Sequence, residues 1–328
     1  MIGRRNVGLL GDRSKGGRGP MSGSISTALS LDSPPCASSA PALLIVVLEN
    51  AGLEQALASH PAFRDLARAG CLMTDYRGIT APSQCNYWAM TGGSTFGRRT
   101  NESVDLPDTS VFDLLDRAGV DWKVYLEDYP DGERCFTGPR RAGYVRKHNP
   151  AGSYLRVLTD PRRCARQVPA SQLKRDIAAG ALPRFAFYVP DQRNNGHDTG
   201  PAYTGEYLRH HWFPLLADPA LMRDRTVVFT YDENETGERV PVPASLLAPE
   251  RQRAPIFTVL VGPAVQPGST VGTTHDHYSL LRTVEESFNL GHLGRRDALA
   301  RRINAPAPSS GASPGAYLRM CSRILRRP

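Results

Sequence analysis

The sequence lacks any long hydrophobic run. Its longest apolar stretch, Ala42–Leu48, ends at Glu49 and falls far short of the ~20 residues that a membrane-spanning helix needs. No apolar segment of roughly 7–15 residues precedes that stretch, so the sequence predicts no ordinary signal peptide. Either the protein is intracellular, or the start of the chain is misplaced or its signal is atypical.

The chain also lacks cysteines spaced as CxxC pairs, and it has no internal repeats. Its six cysteines are scattered and none forms a CxxC pair, which argues against a zinc ribbon. Cys135 and Cys164 flank an irregular stretch rich in Arg, Gly and Pro, and they would close this loop with a disulfide if the protein is secreted. The spacing leaves that pairing open. No RRM, KH, zinc-finger or helix-turn-helix signature is present, so no specific nucleic-acid partner is predicted.

The excess of basic residues is confined to the two ends of the chain. The formal net charge is +8 over 328 residues. Residues 1–20 have five basic side chains and one acidic one, and residues 295–328 have eight arginines and one aspartate, so the region between them is mildly acidic. Basic tails can bind phosphate backbones or anionic membranes. Solvated, disordered ends are the interpretation that their composition favours.

Composition divides the chain into three parts. Residues 1–40 are rich in Gly, Ser, Arg and Pro without periodicity, which predicts a disordered basic N-terminal segment. Residues 301–328 predict a low-complexity basic C-terminal tail. The body between them, 41–300, has the length of a single domain. Its hydrophobic and charged content is that of a globular protein that needs no metal or disulfide for stability.

Within the body, short apolar runs alternate with helical patterns. The predicted strands are Leu43–Leu48, Trp122–Leu126, Phe185–Val189, Thr226–Thr230 and Ile256–Val261. The predicted helices are 53–69, 84–91, 110–118, 171–179, 203–217 and 277–289. This alternation predicts an α/β fold with a mostly parallel central sheet and helices on both faces.

Polar side chains gather where the predicted strands end. In open α/β sheets, ligands bind at the carboxyl ends of the strands. Four segments place carboxylates, amides and imidazoles there: 49–50, 191–198, 232–235 and 275–277. Oxygen-rich sites with a few imidazoles suit a divalent cation such as Mg, Ca, Mn or Zn. Each segment alone is most simply a turn, a solvated loop or a helix cap, but their coincidence at one sheet edge favours a site.

A fifth segment, 80–87, places Ser83 at the start of a helix. Taken alone, Ser83 is best explained as an N-cap. The same position also suits a phosphate-attacking nucleophile, because a helix N-terminus offers free N–H groups and a favourable field for an anion. Cys85 is a weaker candidate nucleophile, since no CxxxxxR phosphate-cradling loop follows it.

These segments, in this order, resemble the phosphoesterase family that joins bacterial phospholipases C with fungal-type acid phosphatases. The resemblance covers about residues 43–297 and is nearer to the acid phosphatases. It is carried by VVLEN at 46–50, TAPSQCNYWAMTGGSTFG at 80–97, NNGHDTG at 194–200, VVFTYDENETG at 227–237 and HDHYSLLRTVEESFNLGHLGRRD at 275–297. It implies an alkaline-phosphatase-like fold and makes the body a phosphoesterase domain.

The resemblance also implies a role for each matching residue. Ser83 matches the nucleophile, His197 and His277 match further catalytic histidines, and Asn86 and Asp198 match positions near the phosphate. The implied metal-binding residues are Glu49, Asn50, Ser83, Asp232 and Glu233. Three positions depart from the family pattern. Glu233 replaces an Asp of the bacterial branch, Cys85 replaces a Pro, and Thr91-Gly92 replaces a Ser-Gly pair.

The predicted function is therefore metal-dependent hydrolysis of small phosphate monoesters through a phosphoseryl intermediate on Ser83. A phospholipase C or phosphodiesterase with the same site is the alternative, and only a phospholipase would contact a membrane. A non-catalytic phosphate-binding protein and an inactive relative are less favoured. The resemblance implies secretion, which the N-terminus does not show. The sequence does not predict the oligomeric state.

Overall fold

The strand Ala42–Leu48 lies in the middle of the sheet because every one of its residues is apolar and buried. Burial on both faces is typical of a strand between two helical layers. It pairs in parallel with Phe185–Val189 on one side and with Arg225–Tyr231 on the other. The structure thus confirms the predicted first strand and two further predicted strands, which lie on either side of it.

The computed structural model describes residues 42–130, 135–234 and 254–308, together with Arg319 and Arg323. The predicted disordered segment 1–40 lies outside the described residues, as do most of the predicted 301–328 tail and Glu235. The start of that tail packs on the domain. Ile303 is buried, and its main-chain N–H donates to Oγ1 of Thr283 at 2.8 Å.

The strands form one large sheet and two small pairs. They are β1 (Ala42–Leu48), β2 (Cys71–Met73), β3 (Tyr76–Arg77), β4 (Trp122–Leu126), β5 (Arg140–Arg141), β6 (Tyr144–Val145), β7 (Gln167–Pro169), β8 (Phe185–Val189), β9 (Arg225–Tyr231), β10 (Thr258–Val261), β11 (Ser269–Val271) and β12 (His275–Asp276). The large sheet has the order β11-β2-β10-β9-β1-β8-β4-β7.

All neighbouring strands of the large sheet are parallel except at β10, which is antiparallel to both β9 and β2. The predicted mostly parallel sheet is confirmed. Because β10 runs backwards, it ends at the edge opposite to the carboxyl ends of β1 and β9. The 275–277 segment returns to their edge through β11. The sequence analysis missed β2, β7 and β11 because three residues are too few for a periodic pattern.

Helices flank the sheet. They are α1 (Leu53–Ser59), α2 (Pro61–Ala69), α3 (Gln84–Gly92), α4 (Val111–Arg117), α5 (Leu155–Leu158), α6 (Pro161–Cys164), α7 (Gln172–Ala178), α8 (Pro201–Tyr207), α9 (Phe213–Leu216), α10 (Pro219–Met222) and α11 (His277–Ser287). The prediction of one helix over 53–69 is wrong. Pro61 holds His60 in an extended conformation, and the His60 ring accepts the main-chain N–H of Ala62, so α2 begins as a separate helix.

The predicted helix 203–217 is also not one regular α-helix. It begins at Pro201, passes through a π-helical turn at Leu208–Trp212 and continues as α9. The π turn inserts one extra residue per turn, which changes the direction of the side chains that follow. His211 lies in this turn and contacts the Tyr188 hydroxyl at 3.3 Å.

A disulfide joins Cys135 to Cys164. This confirms the pairing that the sequence left open. The bond links the segment between β4 and α5, which contains the β5–β6 pair, to the end of α6. Cys71 and Cys85 are free and buried.

Candidate active site

Glu49 and Asn50 connect the central strand to the site. Glu49 follows β1 and is buried, and Asn50 adopts a left-handed conformation with φ of 63°. Asparagine tolerates that region better than most residues. The main-chain N–H of Asn50 donates to Oδ1 of Asp232 at 3.1 Å. Because β1 and β9 are paired neighbours, this bond holds the ends of the two strands together at one edge.

Ser83 lies between two carboxylates. Its Oγ is 3.1 Å from Oε2 of Glu49 and 3.2 Å from Oε1 of Glu233. A hydroxyl has one proton to donate, so only one of these oxygens accepts from Ser83 at a time. The side chain makes no capping bond to α3, although Ser83 precedes that helix. The structure therefore rejects the interpretation of Ser83 as only an N-cap.

Cys85 is poorly placed to compete with Ser83 as the nucleophile. It is buried, and its thiol donates to the main-chain carbonyl of Arg98 at 3.3 Å. Burial raises the pKa of the Cys85 thiol. Because the thiolate is the reactive form, a raised pKa makes this cysteine less nucleophilic.

Three buried carboxylates concentrate negative charge at this edge. Burial, together with the charge of Asp232, raises the pKa of Glu49 well above its usual range. Burial raises the pKa of Asp232 to about 6. The Tyr87 hydroxyl donates to Oε1 of Glu49 at 2.6 Å and partly offsets the cost of burying that carboxylate. Glu233 is also buried and contributes a third charge.

His148 contacts this cluster and was missed by the sequence analysis. Its Nε2 lies 3.2 Å from Oε2 of Glu49, and its ring stacks on Tyr87 with centroids 5.5 Å apart. Burial and the charge of Lys147 lower the pKa of His148 well below its usual range, so the imidazole is neutral. It lies in a short 3₁₀ turn, Arg146–His148, inside an irregular segment. No periodic pattern or strand end marked it.

His197 and Lys147 complete a basic side of the site, which we define as Lys147, His148 and His197. The Nδ1 of His197 is 2.8 Å from Oδ1 of Asp198, and its Nε2 is 3.4 Å from Nζ of Lys147. Because the carboxylate of Asp198 is an acceptor, the N–H at Nδ1 of His197 donates to it, and this contact leaves Nε2 facing Lys147. The rings of His197 and His148 are 5.7 Å apart. The structure thus brings the predicted His197–Asp198 pair beside the two residues that sequence analysis did not identify.

His277 lies behind the carboxylates. Its Nε2 is 2.6 Å from the main-chain carbonyl of Asp232, and its Nδ1 is 3.1 Å from the Tyr76 hydroxyl. Burial lowers the pKa of His277 to about 4, so the neutral ring donates from Nε2 and accepts at Nδ1. These contacts make it a positioning residue for Asp232. Its predicted catalytic role stays a prediction.

Asn86 anchors the loop that precedes Ser83. Its Oδ1 accepts the main-chain N–H groups of Ile79 and Thr80, and its Nδ2 donates to the Thr80 carbonyl at 2.7 Å. The residue is buried. The observed contacts therefore fix the shape of this loop, and the predicted bond from Asn86 to phosphate stays a prediction.

His275 and Asp276, the other two polar residues of the predicted 275–277 segment, make contacts outside the candidate active site. Oδ1 of Asp276 accepts the main-chain N–H of Ser279 and caps α11. His275 contacts the carbonyls of Thr273 and Arg302 at 2.7 and 3.3 Å. For these two residues the simple interpretation as part of a helix start is sufficient.

A preformed metal centre is not visible in the part of the chain that the structure describes. No group of three or more His, Cys, Asp or Glu side chains there is arranged to hold a metal ion. Two observations nevertheless fit a cation. Oδ2 of Asp232 is buried without a hydrogen-bond partner among the described residues, and the charge of Asp232 raises the pKa of Glu49. Carboxylate, amide and hydroxyl oxygens are also the donors that hard divalent cations prefer.

The fold and this site can be compared with known proteins. A structure from Vibrio parahaemolyticus, described as a protein in the alkaline phosphatase superfamily, superposes with a TM-score of 0.51 at 13% identity, covering 78% of this chain and 69% of its own. The lipoteichoic acid synthase of Listeria monocytogenes superposes with a TM-score of 0.51 at 11% identity, covering 88% and 91%. At these identities the likeness concerns the fold alone, which is of the alkaline-phosphatase-like class.

Sequence comparison then gives the family. The model of the Phosphoesterase family matches residues 56–291, and the chain belongs to this family. A probable acid phosphatase of Kluyveromyces lactis is 32% identical over 273 residues, covering 80% of this chain and 62% of its own length. A phosphatidylinositol-3-phosphatase of Mycobacterium tuberculosis is 29% identical over 77% of this chain and 78% of its own. The resemblance seen in the sequence is confirmed.

More distant relatives include the non-specific phospholipase C1 of Arabidopsis thaliana, which is 23% identical over 73% of this chain and 48% of its own length. The chain spans about three fifths of the length of the fungal acid phosphatases that it matches. No helix in the described residues is long and apolar enough to cross a membrane.

Proposed function

We propose that this protein is a phosphoric ester hydrolase that cleaves phosphate monoesters, with Ser83 as the nucleophile. The observation that carries the proposal is the position of Ser83 Oγ between Glu49 and Glu233. Fungal acid phosphatases among the relatives support the same reaction class.

Ser83 and Glu49 perform the first half of the reaction. Oγ of Ser83 attacks phosphorus while its proton passes to the adjacent carboxylate. A bond forms between Oγ and phosphorus, and the bond from phosphorus to the leaving alkoxide breaks. Glu49 suits proton acceptance because its pKa is raised by burial and by the charge of Asp232. The Tyr87 hydroxyl keeps that carboxylate oriented.

The basic side of the site supplies the opposite charge. Lys147 and the histidines would lie against the phosphate oxygens and stabilise the charge that develops there. When Nε2 of His197 is protonated, it donates to the leaving alkoxide, and the product departs as an alcohol. Water then attacks the phosphoserine and His197 accepts its proton. The bond from phosphorus to Oγ breaks, inorganic phosphate is released, and Glu49 returns its proton to Oγ to restore the Ser83 hydroxyl. Asp198 holds the ring for both steps. His277 is less suited because both of its ring nitrogens are engaged.

The residues that would hold a divalent cation are Glu49, Asn50, Ser83, Asp232 and Glu233. When bound there, Mg, Ca, Mn or Zn would neutralise phosphate charge and lower the pKa of a coordinated hydroxyl. The buried, unpartnered Oδ2 of Asp232 supports such a cation.

The disulfide between Cys135 and Cys164 bears on the compartment. Disulfides persist in oxidising environments and are rare in the cytosol. We propose that the protein functions in an oxidising compartment, which agrees with the secretion that the family resemblance implies.

Turnover of p-nitrophenyl phosphate and of bis-p-nitrophenyl phosphate tests the proposal, with metal-loaded and chelated protein compared side by side. Preferential, chelator-sensitive hydrolysis of the monoester is the expected result. Preferential hydrolysis of the diester would instead support a phosphodiesterase or phospholipase C, the activity named for the plant relatives. Phosphate binding without turnover of either compound would support a non-catalytic phosphate-binding protein.

A further inference from the structure

A second cleft opens at the same edge of the sheet as the candidate active site. It has a volume of about 760 Å³ and lies beyond the carboxyl ends of three adjacent parallel strands, β7, β4 and β8. Ligands of open α/β sheets bind at this edge. The proposed nucleophile, the proposed metal-binding residues and the basic side of the site do not line this cleft.

Two walls of the cleft continue directly into the candidate active site. Asp191 and Asn194 line the cleft, and the same loop carries His197 a few residues further on. Its middle residue, Asn195, accepts the main-chain N–H of Glu49 at 2.9 Å. Arg141, the last residue of β5, also lines the cleft. Lys147 and His148 follow shortly after β6 in the sequence. The loop after β8 and the segment that begins with the β5–β6 pair therefore each carry residues of the cleft and residues of the basic side of the site.

The base of the cleft is rigid. Both carboxylate oxygens of Glu127 accept hydrogen bonds: Oε1 from the hydroxyls of Tyr188 and Tyr207 at 2.7 Å each, and Oε2 from the main chain of Asp191 and the amide of Asn194 at 3.0 and 2.7 Å. A carboxylate with four donors holds its neighbours in place without needing a ligand.

The backbone around the cleft is strained at two positions. Asp128 and Ala142 both have positive φ, 53° and 49°, and both line the cleft. A left-handed conformation is unfavourable for alanine, and strained residues concentrate at functional sites. His211 reaches the cleft from the π turn of Leu208–Trp212, another feature that is frequent at functional sites.

The lining offers both signs of charge and an apolar surface. Asp128 and Asp191 supply acceptors, Arg141 and Lys174 supply donors, and Leu173 with the neighbouring Ala170 supplies apolar contact. Hydroxyl groups both donate and accept, whereas an aliphatic ring carries apolar C–H faces. A ring with several hydroxyls therefore matches this lining better than a purely apolar or singly charged group does.

We propose that this cleft binds the hydroxylated ring of a sugar-type leaving group while its phosphate lies at Ser83. The inference rests on the proposed phosphomonoesterase activity and specifies its substrate class. Lys174 and Asp128 are the specificity-determining residues that we select for testing, because both are exposed side chains at the cleft and neither supports the core.

The test compares glucose 6-phosphate with phenyl phosphate, which has a ring of similar size without hydroxyls. We expect the ratio of kcat/KM for glucose 6-phosphate to that for phenyl phosphate to fall about tenfold in Lys174→Ala and in Asp128→Asn. Asparagine keeps the left-handed backbone and the acceptor for Gly143, and removes only the charge. Arg175→Ala is the matched control, because Arg175 is exposed on the same helix outside the cleft, and its ratio should equal that of the wild type.

Equilibrium binding of glucose 6-phosphate to Ser83→Ala, measured by calorimetry, separates the two proposals. Addition of Lys174→Ala to this variant should weaken binding about tenfold. If phenyl phosphate is hydrolysed but neither the ratio nor the binding changes in the cleft variants, the cleft proposal is wrong and the activity stands. If neither substrate is hydrolysed but binding depends on Lys174, the activity is wrong and the cleft stands. Absence of glucose 6-phosphate binding would overturn the cleft proposal in either case.

Discussion

Nε2 of His148 lies 3.2 Å from Oε2 of Glu49, the same carboxylate oxygen that accepts the hydroxyl of Ser83. The ring is neutral because burial lowers its pKa. A neutral imidazole at this distance contacts the carboxylate without cancelling its charge. Glu49 is thus oriented by a hydrogen bond from Tyr87 on one oxygen, and the His148 ring lies against the other, so the proton acceptor proposed for Ser83 has a neighbour on each side.

The first prediction concerns His148. His148→Ala should lower kcat/KM for p-nitrophenyl phosphate about 100-fold, because it removes a partner of Glu49 and a face of the phosphate site. His148→Gln, which retains an amide donor and most of the volume, should recover part of that loss. Thermal unfolding of both variants controls for damage to the core. A His148→Ala variant that folds and keeps the wild-type rate would contradict this role.

Ser83 gives the second prediction. Ser83→Ala should lower kcat by at least about 1,000-fold and leave the fold intact, since the hydroxyl contacts only carboxylates of the site. Cys85→Ala is the matched control and should keep most of the activity, because its buried thiol donates to a main-chain carbonyl and not to a side chain of the site. If Ser83→Ala retained most of its rate, or Cys85→Ala lost it, the nucleophile would have to be reassigned.

Asp232 gives the third prediction, which concerns metal content. Asp232→Asn should lower the amount of divalent cation retained after loading and dialysis, measured by elemental analysis, and the rate should fall with it. The amide keeps an acceptor for Asn50 but removes a charge from the buried cluster. His277→Ala, which removes the support of the Asp232 carbonyl and the contact with the Tyr76 hydroxyl, should have a smaller effect on both quantities. Normal metal content in Asp232→Asn would remove Asp232 from the cation site.

The fourth prediction concerns stability against pH and arises from Glu285, away from the candidate active site. Burial and the negative charge of Asp297 raise the pKa of Glu285 to about 8. The folded protein therefore holds a proton that the unfolded chain releases above its ordinary pKa. The resulting stabilisation is complete below about pH 4.5 and is lost as the pH rises towards 8.

Between pH 5 and 8.5, the free energy of unfolding should consequently fall by about 2 kcal/mol more in the wild type than in Glu285→Gln. Glutamine keeps the shape of the side chain and cannot ionise. Denaturant unfolding of both proteins at several pH values measures this difference. Parallel curves for the two proteins would show that Glu285 does not titrate in this range.

The disulfide gives the fifth prediction. Loss of the Cys135–Cys164 bond should destabilise the protein by about 2–4 kcal/mol, because it frees a closed loop in the unfolded chain. Activity should also fall, since Lys147 and His148 lie in the chain segment that the bond closes. Cys135→Ser with Cys164→Ser tests this, and a reducing agent should have no further effect on that double variant. Full activity of the double variant would show that the bond does not position those residues.

Local sequence patterns were enough to predict the three strands at the centre of the sheet and several residues of the candidate active site. The apolar runs of β1, β8 and β9 are long enough for a strand prediction, and polar residues follow each of them within two residues. Glu49, His197 and Asp232 could therefore be located as strand-end residues, and Ser83 as the residue that opens a helix. For Ser83 the sequence could not choose between a cap and a nucleophile, because the difference lies in where the hydroxyl points.

What the sequence by itself determined is the fold class and the edge of the sheet where polar groups converge, because both follow from short-range patterns of burial. Only the tertiary structure decided which side chains meet. His148 comes from an irregular segment almost a hundred residues after Glu49, and His277 reaches Asp232 only because β11 turns the chain back. Such contacts depend on the packing of distant segments, and no local pattern records them.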